Sequence, residues 1–221
     1  MKKAVKYLIT ALVGVLIFGT VLIAFRAGVN SREPIQCKGL NVVILDSLEN
    51  DFVSRADVKK FLDKEYGQYI GIPIDSINLT RIEDIIDGRS AVRKSQAFIT
   101  RDGILHIDVT QRKPVVRFQK KDGGFYADAE GFIFPLQRNF ASHVQIIDGE
   151  IPLAANSGYK GSIDNPKEKE WFTKVMKVVN FIENDRTWKG KIVQISVEKG
   201  GDLILIPREG NERFMFGQPA D

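Results

Sequence analysis

An uncharged apolar segment, residues 7–25, constrains this chain more than any other feature. Its sequence is YLITALVGVLIFGTVLIAF, and as a helix it would be roughly 28 Å long, about the thickness of the hydrocarbon core of a bilayer. A cleaved signal peptide is the alternative, but its apolar region is about 7–15 residues long and ends at small residues. We therefore predict a retained transmembrane helix, with four representative anchor residues: Tyr7, Leu12, Leu16 and Phe25.

The charges on the two sides of this segment predict its orientation. Residues 1–6 carry three Lys and no acid, whereas Arg26 and Arg32 on the other side are diluted by Glu33. Because Lys and Arg are enriched on the cytoplasmic side of membrane helices, the N-terminus is expected in the cytoplasm. Residues 27–221 are then expected outside the cytoplasm.

The charge and cysteine content limit the function classes. The net charge is +4, and residues 1–26 alone contribute four cations and no acid, so the remainder of the chain is neutral. Nucleic-acid binding needs a basic surface, which this remainder does not offer. The single cysteine, Cys37, permits no intramolecular disulfide. We expect it to be a small core or strand-edge residue; an intermolecular thiol is the alternative.

The first half of the external part predicts a strand followed by two helices. The run 38–45 is rich in β-branched residues, which favours a strand. Ser54 with Asp57 is typical of a capped helix start. Asn78 or Thr80 is expected to begin the second helix. Both helices carry apolar residues at helical spacing, so each is expected to bury one face.

A hairpin is predicted next. Two alternating runs, 92–101 and 104–111, flank Asp102-Gly103, which is typical of a two-residue turn with positive φ at both positions. Together with the preceding elements, this gives the order β-α-α-β-β. Three apolar residues of the second strand are expected on one face: Leu105, Ile107 and Val109.

The second half predicts a β-rich module with one long helix. Asn165, followed by Pro166 at the first helical position, is expected to begin that helix. Trp171 and Phe172 are expected in its core-facing stripe. The predicted strands cover 115–118, 125–128, 132–134, 144–147, 191–197, 202–207 and 213–216.

Two short motifs follow each other across these modules. Residues 105–115 read LHIDVTQRKPV and match the form L-x-I-x-V-x-E-R-x-P-V, except that Gln111 replaces the usual Glu. Residues 128–134 read DAEGFIF and match D-x-x-G-x-x-F. Neither motif is diagnostic alone. Their order and spacing behind one N-terminal hydrophobic segment resemble the bacterial cell-division family FtsQ/DivIB.

The resemblance implies an α+β fold: an N-terminal transmembrane helix, a POTRA-like β-α-α-β-β domain and a C-terminal β-rich domain with one long helix. The implied division of the chain is a cytoplasmic tail (1–6), a transmembrane helix (7–25), a linker (26–36), a POTRA-like domain (37–114) and an FtsQ/DivIB-like domain (115–221). In that family the last module normally continues with a further helix and a final strand. We therefore expect that this sequence is truncated or that its final segment has diverged, and the family's FtsB-binding surface is not carried over onto residues here.

The resemblance also implies a function. Members are non-enzymatic scaffolds of the divisome in the cytoplasmic (inner) membrane at the division septum, where they link membrane division proteins to septal peptidoglycan synthesis. The expected partners resemble FtsB and FtsL and, through them, the septal peptidoglycan synthase, with no nucleic acid and no small-molecule substrate. The alternative is a POTRA-containing chaperone or assembly factor for exported envelope polypeptides. The long alternating strand series of barrel-associated POTRA proteins is missing, which disfavours this alternative.

A search for catalytic residues predicts no catalytic, cofactor-binding or metal site. His106 and His143 are isolated, and Cys37 precedes both, which disfavours a Cys-His nucleophile pair and a sortase-like anchored enzyme. Asp128 and Glu130 are interpreted as solvated turn formers rather than an acid–base pair.

Two further features have competing interpretations. Arg112-Lys113 is interpreted as a hinge with solvated charges, and a contact site is the alternative. Trp188 is interpreted as a packing residue, and an exposed contact residue is the alternative.

Protein binding through a sheet edge is the remaining hypothesis. Sheet edges must be paired, protected or used, and strand addition makes few demands on side-chain identity. The sequence ends soon after a predicted strand, so we place a candidate partner-binding edge in the last two strands. Its predicted residues are Leu203, Leu205, Arg213, Phe214, Met215 and Phe216.

Overall fold

The computed structural model describes residues 2–30, 34–49, 51–137 and 140–219, and it confirms the predicted α+β class. Four α-helices are present in this part: α1 (Lys2–Asn30), α2 (Arg55–Glu65), α3 (Leu79–Asp87) and α4 (Pro166–Asn184). The strands are β1 (Gly39–Ile44), β2 (Val92–Ile99), β3 (Ile104–Gln111), β4 (Pro114–Lys120), β5 (Gly123–Asp128), β6 (Phe132–Pro135), β7 (Gln145–Gly149), β8 (Gly161–Ser162), β9 (Ile192–Val197), β10 (Leu203–Pro207) and β11 (Phe214–Gly217).

The first sheet has the order β1-β3-β2, with β1 parallel and β2 antiparallel to β3. Strand β3 alternates along its length, and its buried residues include Leu105, Ile107 and Val109, as predicted. These side chains share one core with Val58 and Leu62 of α2 and with Ile82 and Ile86 of α3. The β-α-α-β-β order is therefore held together by apolar residues at strand and helix spacing.

Local sequence sets the helix starts. Ser54 caps α2 with both bonds of a capping box: its Oγ accepts from the Asp57 N–H, and the Asp57 carboxylate accepts from the Ser54 N–H. Asn78, rather than Thr80, caps α3. Asn165 caps α4, and Pro166 occupies its first turn.

The turn of the β2–β3 hairpin differs from the prediction. It spans Thr100–Gly103, where the Gly103 N–H donates to the Thr100 carbonyl at 2.9 Å and the Thr100 N–H to the Ile104 carbonyl at 3.1 Å. Only Gly103 has a positive φ, 88°, so the predicted two-residue turn with two positive φ angles is wrong. Asp102 keeps a negative φ because one left-handed glycine is sufficient to close this longer loop.

The second sheet has eight strands in the order β11-β10-β9-β7-β4-β5-β6-β8. Strand β7 is parallel to both of its neighbours, β4 and β9, and the other pairs are antiparallel. Helix α4 packs on this sheet through one stripe that includes Phe172, Val175 and Val179. Trp171, predicted in the same stripe, is half-buried at its margin.

Strand β5 is buried on both of its faces. Phe125 and Ala127 lie in the core beneath α4, whereas Tyr126 lies in the core of the first sheet, together with Phe134 of β6. The second sheet therefore completes the core of the first. Residues of both segments, 37–114 and 115–221, contribute side chains to this core. The boundary between the two predicted domains stays a prediction.

Candidate protein-binding edge

Strand β11 lies at one edge of the eight-stranded sheet and pairs only with β10. Its three large side chains are exposed: Phe214 by 42%, Met215 by 77% and Phe216 by 47%. Arg213, just before the strand, is also exposed. The backbone on the far side of β11 has no strand neighbour among the residues that the structure describes. An extended segment of another polypeptide can pair with such an edge.

Strand β10 does not belong to this free edge. It pairs with β9 on one side and with β11 on the other, and Leu203 and Leu205 are buried in the core. These two residues were predicted as part of the candidate edge, but their side chains support the sheet from within. The candidate edge is therefore confined to Arg213 and β11, and its use by a partner stays a prediction.

Trp188 supports β11 from the segment after α4. Its ring contacts Phe214 edge-to-face, with centroids 5.8 Å apart and an interplanar angle of 76°. Trp188 is half-buried and packs against the core beneath α4. The packing interpretation of this residue agrees with its position. Through Phe214, it also fixes the start of the candidate edge to the body of the sheet.

At the other end of the chain, α1 contains the predicted anchor. In the part of the chain that the structure describes, one segment, Lys6–Arg26, is long and apolar enough to span a membrane, and none of it is buried against the rest of the protein. The predicted anchor residues are all exposed on it: Tyr7, Leu12, Leu16 and Phe25. This arrangement is consistent with a single-pass membrane protein. The orientation of α1 stays a prediction.

Arg112 and Asp128, both predicted to be solvated, form a buried ion pair between the two sheets. Arg112 Nη1 lies 2.8 Å from Asp128 Oδ2, and the two side chains are only 15% and 3% exposed. The guanidinium also stacks over the Phe132 ring, 3.4 Å from its centroid. The other carboxylate oxygen of Asp128 accepts from the Glu130 and Phe132 N–H groups. The solvated interpretation is wrong for Arg112 and Asp128, because they pair with each other and their side chains are largely buried.

The same junction contains an aromatic cluster that sequence reasoning missed. The ring of Phe52, in the loop before α2, lies 5.6 Å from Tyr126, 6.0 Å from Phe134 and 4.9 Å from Phe140. The Tyr126 hydroxyl accepts from the Ser142 N–H at 3.0 Å. These residues are far apart in sequence. The adjacent aromatic residues Phe125 and Tyr126 gave the one sequence signal of this cluster. Neighbouring residues of a strand point to opposite faces, so two large apolar neighbours indicate a strand that is buried on both faces.

His106 and Cys37, two of the residues considered for chemistry, have structural surroundings. His106 stacks on Phe98 with ring centroids 4.9 Å apart, and its ring nitrogens lie near Asn41 and Thr100 side chains. Cys37 is a buried free thiol, as expected for a small core residue. Within the described ranges, no group of three or more His, Cys, Asp or Glu is arranged to hold a metal ion.

Comparison with known proteins gives two adjacent family matches. A POTRA-like domain matches residues 35–110, and a domain described as FtsQ/DivIB, C-terminal related, matches residues 113–221. No curated protein matches the chain. The two matches follow the order of the two sheets, behind an N-terminal apolar helix. The chain therefore belongs to the FtsQ/DivIB family of cell-division proteins.

Proposed function

We propose that this protein is a non-enzymatic scaffold of the divisome, held in the cytoplasmic membrane by α1 with its N-terminus in the cytoplasm. Its two external domains would act at the septum, with FtsB and FtsL as partners and, through them, the septal peptidoglycan synthase. The family membership supports a cell-division scaffold. The partners are those expected of the family.

The observation that carries this proposal is the open edge at β11. Three exposed apolar residues follow one another there, on a strand that Trp188 holds against the sheet. A folded protein normally protects such an edge with charges, prolines or a covering element. We infer that β11 pairs with a strand of the partner, because added strands gain backbone hydrogen bonds and bury alternate side chains.

A pair of proline substitutions in the full-length protein tests this mode of binding. Successive N–H groups of a strand point to opposite sides, so only one of Phe214→Pro and Met215→Pro removes an N–H from the free side. That variant is expected to fold and to lose at least about tenfold in affinity for co-expressed FtsB. The other is expected to loosen the pairing of β11 with β10.

Phe216→Ser is the matched control, since it changes an exposed side chain and keeps every backbone N–H. It is expected to weaken capture less than the proline on the free side does, because it keeps the backbone pairing. If both proline variants fold and capture FtsB like the wild type, strand addition at β11 is wrong.

Depletion of the protein in cells tests the scaffold role itself. Filaments with unconstricted septa are the expected result. Normal division with defective outer-membrane assembly would instead support the alternative, a chaperone for exported envelope polypeptides.

A further inference from the structure

The first sheet has two edges, and one of them is closed by helix α3. The outward N–H of Ser95 on β2 donates to Asp87 Oδ1 at 2.6 Å, and that of Ala97 donates to Glu83 Oε1 at 2.7 Å. Two carboxylates of α3 therefore occupy the backbone donors that a further strand would need. The β2 edge is protected against strand addition.

The opposite edge, β1, leaves its backbone groups open. The Leu45 N–H donates to the Val109 carbonyl at 2.9 Å, so the odd-numbered residues of β3 face β1. In this parallel register, alternate residues of β1 direct both backbone groups away from β3: Leu40, Val42 and Ile44. Among the residues that the structure describes, β1 pairs only with β3, and no backbone hydrogen bond from a turn, loop or cap reaches the N–H or C=O of Leu40 or Val42.

A groove follows this open edge. It has a volume of about 560 Å³ and lies between β1 and the first turns of α2, with Tyr69 and Ile70 as the remaining wall. The Tyr69 ring is buried, and its hydroxyl donates to Asp63 at 3.0 Å, so this wall is fixed to α2. Ile70 is 43% exposed and offers an apolar contact. The groove is therefore open on the side where an added strand would lie.

The charge of the groove indicates what it binds. Arg55 and Lys59 line it, and none of its lining residues in the described part of the chain is a carboxylate. Both cations are exposed, and neither forms an ion pair within the described ranges, whereas the neighbouring Asp57 is engaged in the capping box. The open backbone of β1 and these two cations lie along the same groove.

We propose that the β1 edge binds an extended acidic segment of a partner polypeptide as an added strand. The segment would pair with the free backbone groups of Leu40 and Val42, while its carboxylates meet Arg55 and Lys59. Backbone pairing would supply affinity, and the cations would supply the preference for acidic sequences. This site is separate from β11 and does not depend on the partners proposed for that edge.

The test uses the full-length protein in detergent micelles and a labelled, end-blocked hexapeptide of alternating Val and Glu. The same peptide with Lys in place of Glu is expected to bind at least tenfold more weakly. The Val-Glu peptide with alternate backbone nitrogens methylated is expected to lose binding to the same extent. In the wild type, the peptide should slow amide hydrogen exchange at Leu40 and Val42 and leave exchange at β11 unchanged.

Two variants separate the backbone from the charges. Val42→Pro removes an outward N–H, and Arg55→Glu with Lys59→Glu reverses the charge of the groove; each should weaken binding of the acidic peptide at least tenfold. The matched control is Lys60→Glu, an exposed neighbour on α2 outside the groove, which should bind like the wild type.

Several outcomes would overturn the proposal. These are no binding of the acidic peptide by the wild type, equal binding of the methylated peptide, or no slowing of exchange at Leu40 and Val42. A different result would assign the groove to a lipid surface instead. In that case the protein would not bind the peptide, and its binding to phosphatidylglycerol vesicles would decrease when the charges of Arg55 and Lys59 are reversed. The exchange and methylated-peptide measurements need no variant, so they decide the question even if Val42→Pro does not fold.

Discussion

The junction between the two sheets and the C-terminal edge are both rich in aromatic side chains, but the protein uses them in opposite ways. At the junction, Phe52 packs among three rings of the second sheet and its following loop, and Arg112 pairs with Asp128 out of water. At the edge, Phe214 and Phe216 remain about half exposed on a strand with one free side. Aromatic content therefore does not distinguish a buried junction from an exposed sheet edge here; burial and backbone pairing do.

The largest expected effect is at the junction. Phe52→Ala removes a buried ring that contacts Tyr126, Phe134 and Phe140, and it leaves a cavity among them. We expect a loss of about 3–5 kcal/mol in the free energy of unfolding, measured by denaturant titration of the full-length protein. Phe216→Ala at the edge is the matched control, with a much smaller expected loss. Equal losses of stability in the two variants would show that the junction and the edge do not differ in their contribution to the fold.

The second effect concerns the buried ion pair. Arg112→Met leaves Asp128 buried without its cation and should cost about 3 kcal/mol of stability. The loss is at the lower end of the usual range because Asp128 still accepts from two backbone N–H groups. The double variant Arg112→Met with Asp128→Asn removes the unpaired charge and should recover part of the loss. If it is no more stable than Arg112→Met, the charge of Asp128 is not the cause.

These two sites also mark the limit of what sequence alone predicts. The caps at Ser54 and Asn165 and the inward face of β3 were predicted because each depends on residues within a few positions. The burial of Asp128 depends on Arg112, and that of Tyr126 on Phe52, a residue of the loop before α2. No local pattern encodes these contacts.

The candidate edge was predicted only in part, for a related physical reason. The apolar runs at 202–207 and 213–216 predict two strands, but which of them is free depends on the order of the whole sheet. That order places β10 between β9 and β11. The β1 groove was not foreseen, because its charges lie on α2 and its backbone groups on β1.

The third effect tests whether β11 contributes to stability. Met215→Lys places a charge on a side chain that is 77% exposed, so the free energy of unfolding should change by no more than about 0.5 kcal/mol. Capture of FtsB should weaken if the partner covers this side chain. A loss of stability above about 1 kcal/mol, seen in the same denaturant titration, would mean that β11 is part of the core rather than an open edge.

The smallest expected effect on stability is at Lys113, whose exposed ion pair can be compared with the buried ion pair of its neighbour Arg112. Lys113, next to Arg112, pairs with Glu49 at 2.7 Å, but these two side chains are 72% and 61% exposed. Exposed pairs contribute little to stability near neutral pH, because water and salt screen them. Lys113→Met should therefore lower the unfolding midpoint at pH 7 only slightly, whereas Arg112→Met lowers it clearly.

The pH dependence gives a second readout for Lys113. Its hydrogen bond, and then its charge, hold the pKa of Glu49 below the ordinary value of 4.5. A lowered pKa in the folded state stabilises the fold above the unfolded value and ceases to do so as the pH falls through the folded value. In Lys113→Met this small acid-dependent loss should disappear, so the slight difference in stability from the wild type at pH 7 should close as Glu49 becomes protonated. A destabilisation at pH 7 as large as that of Arg112→Met would show that burial does not separate the two pairs.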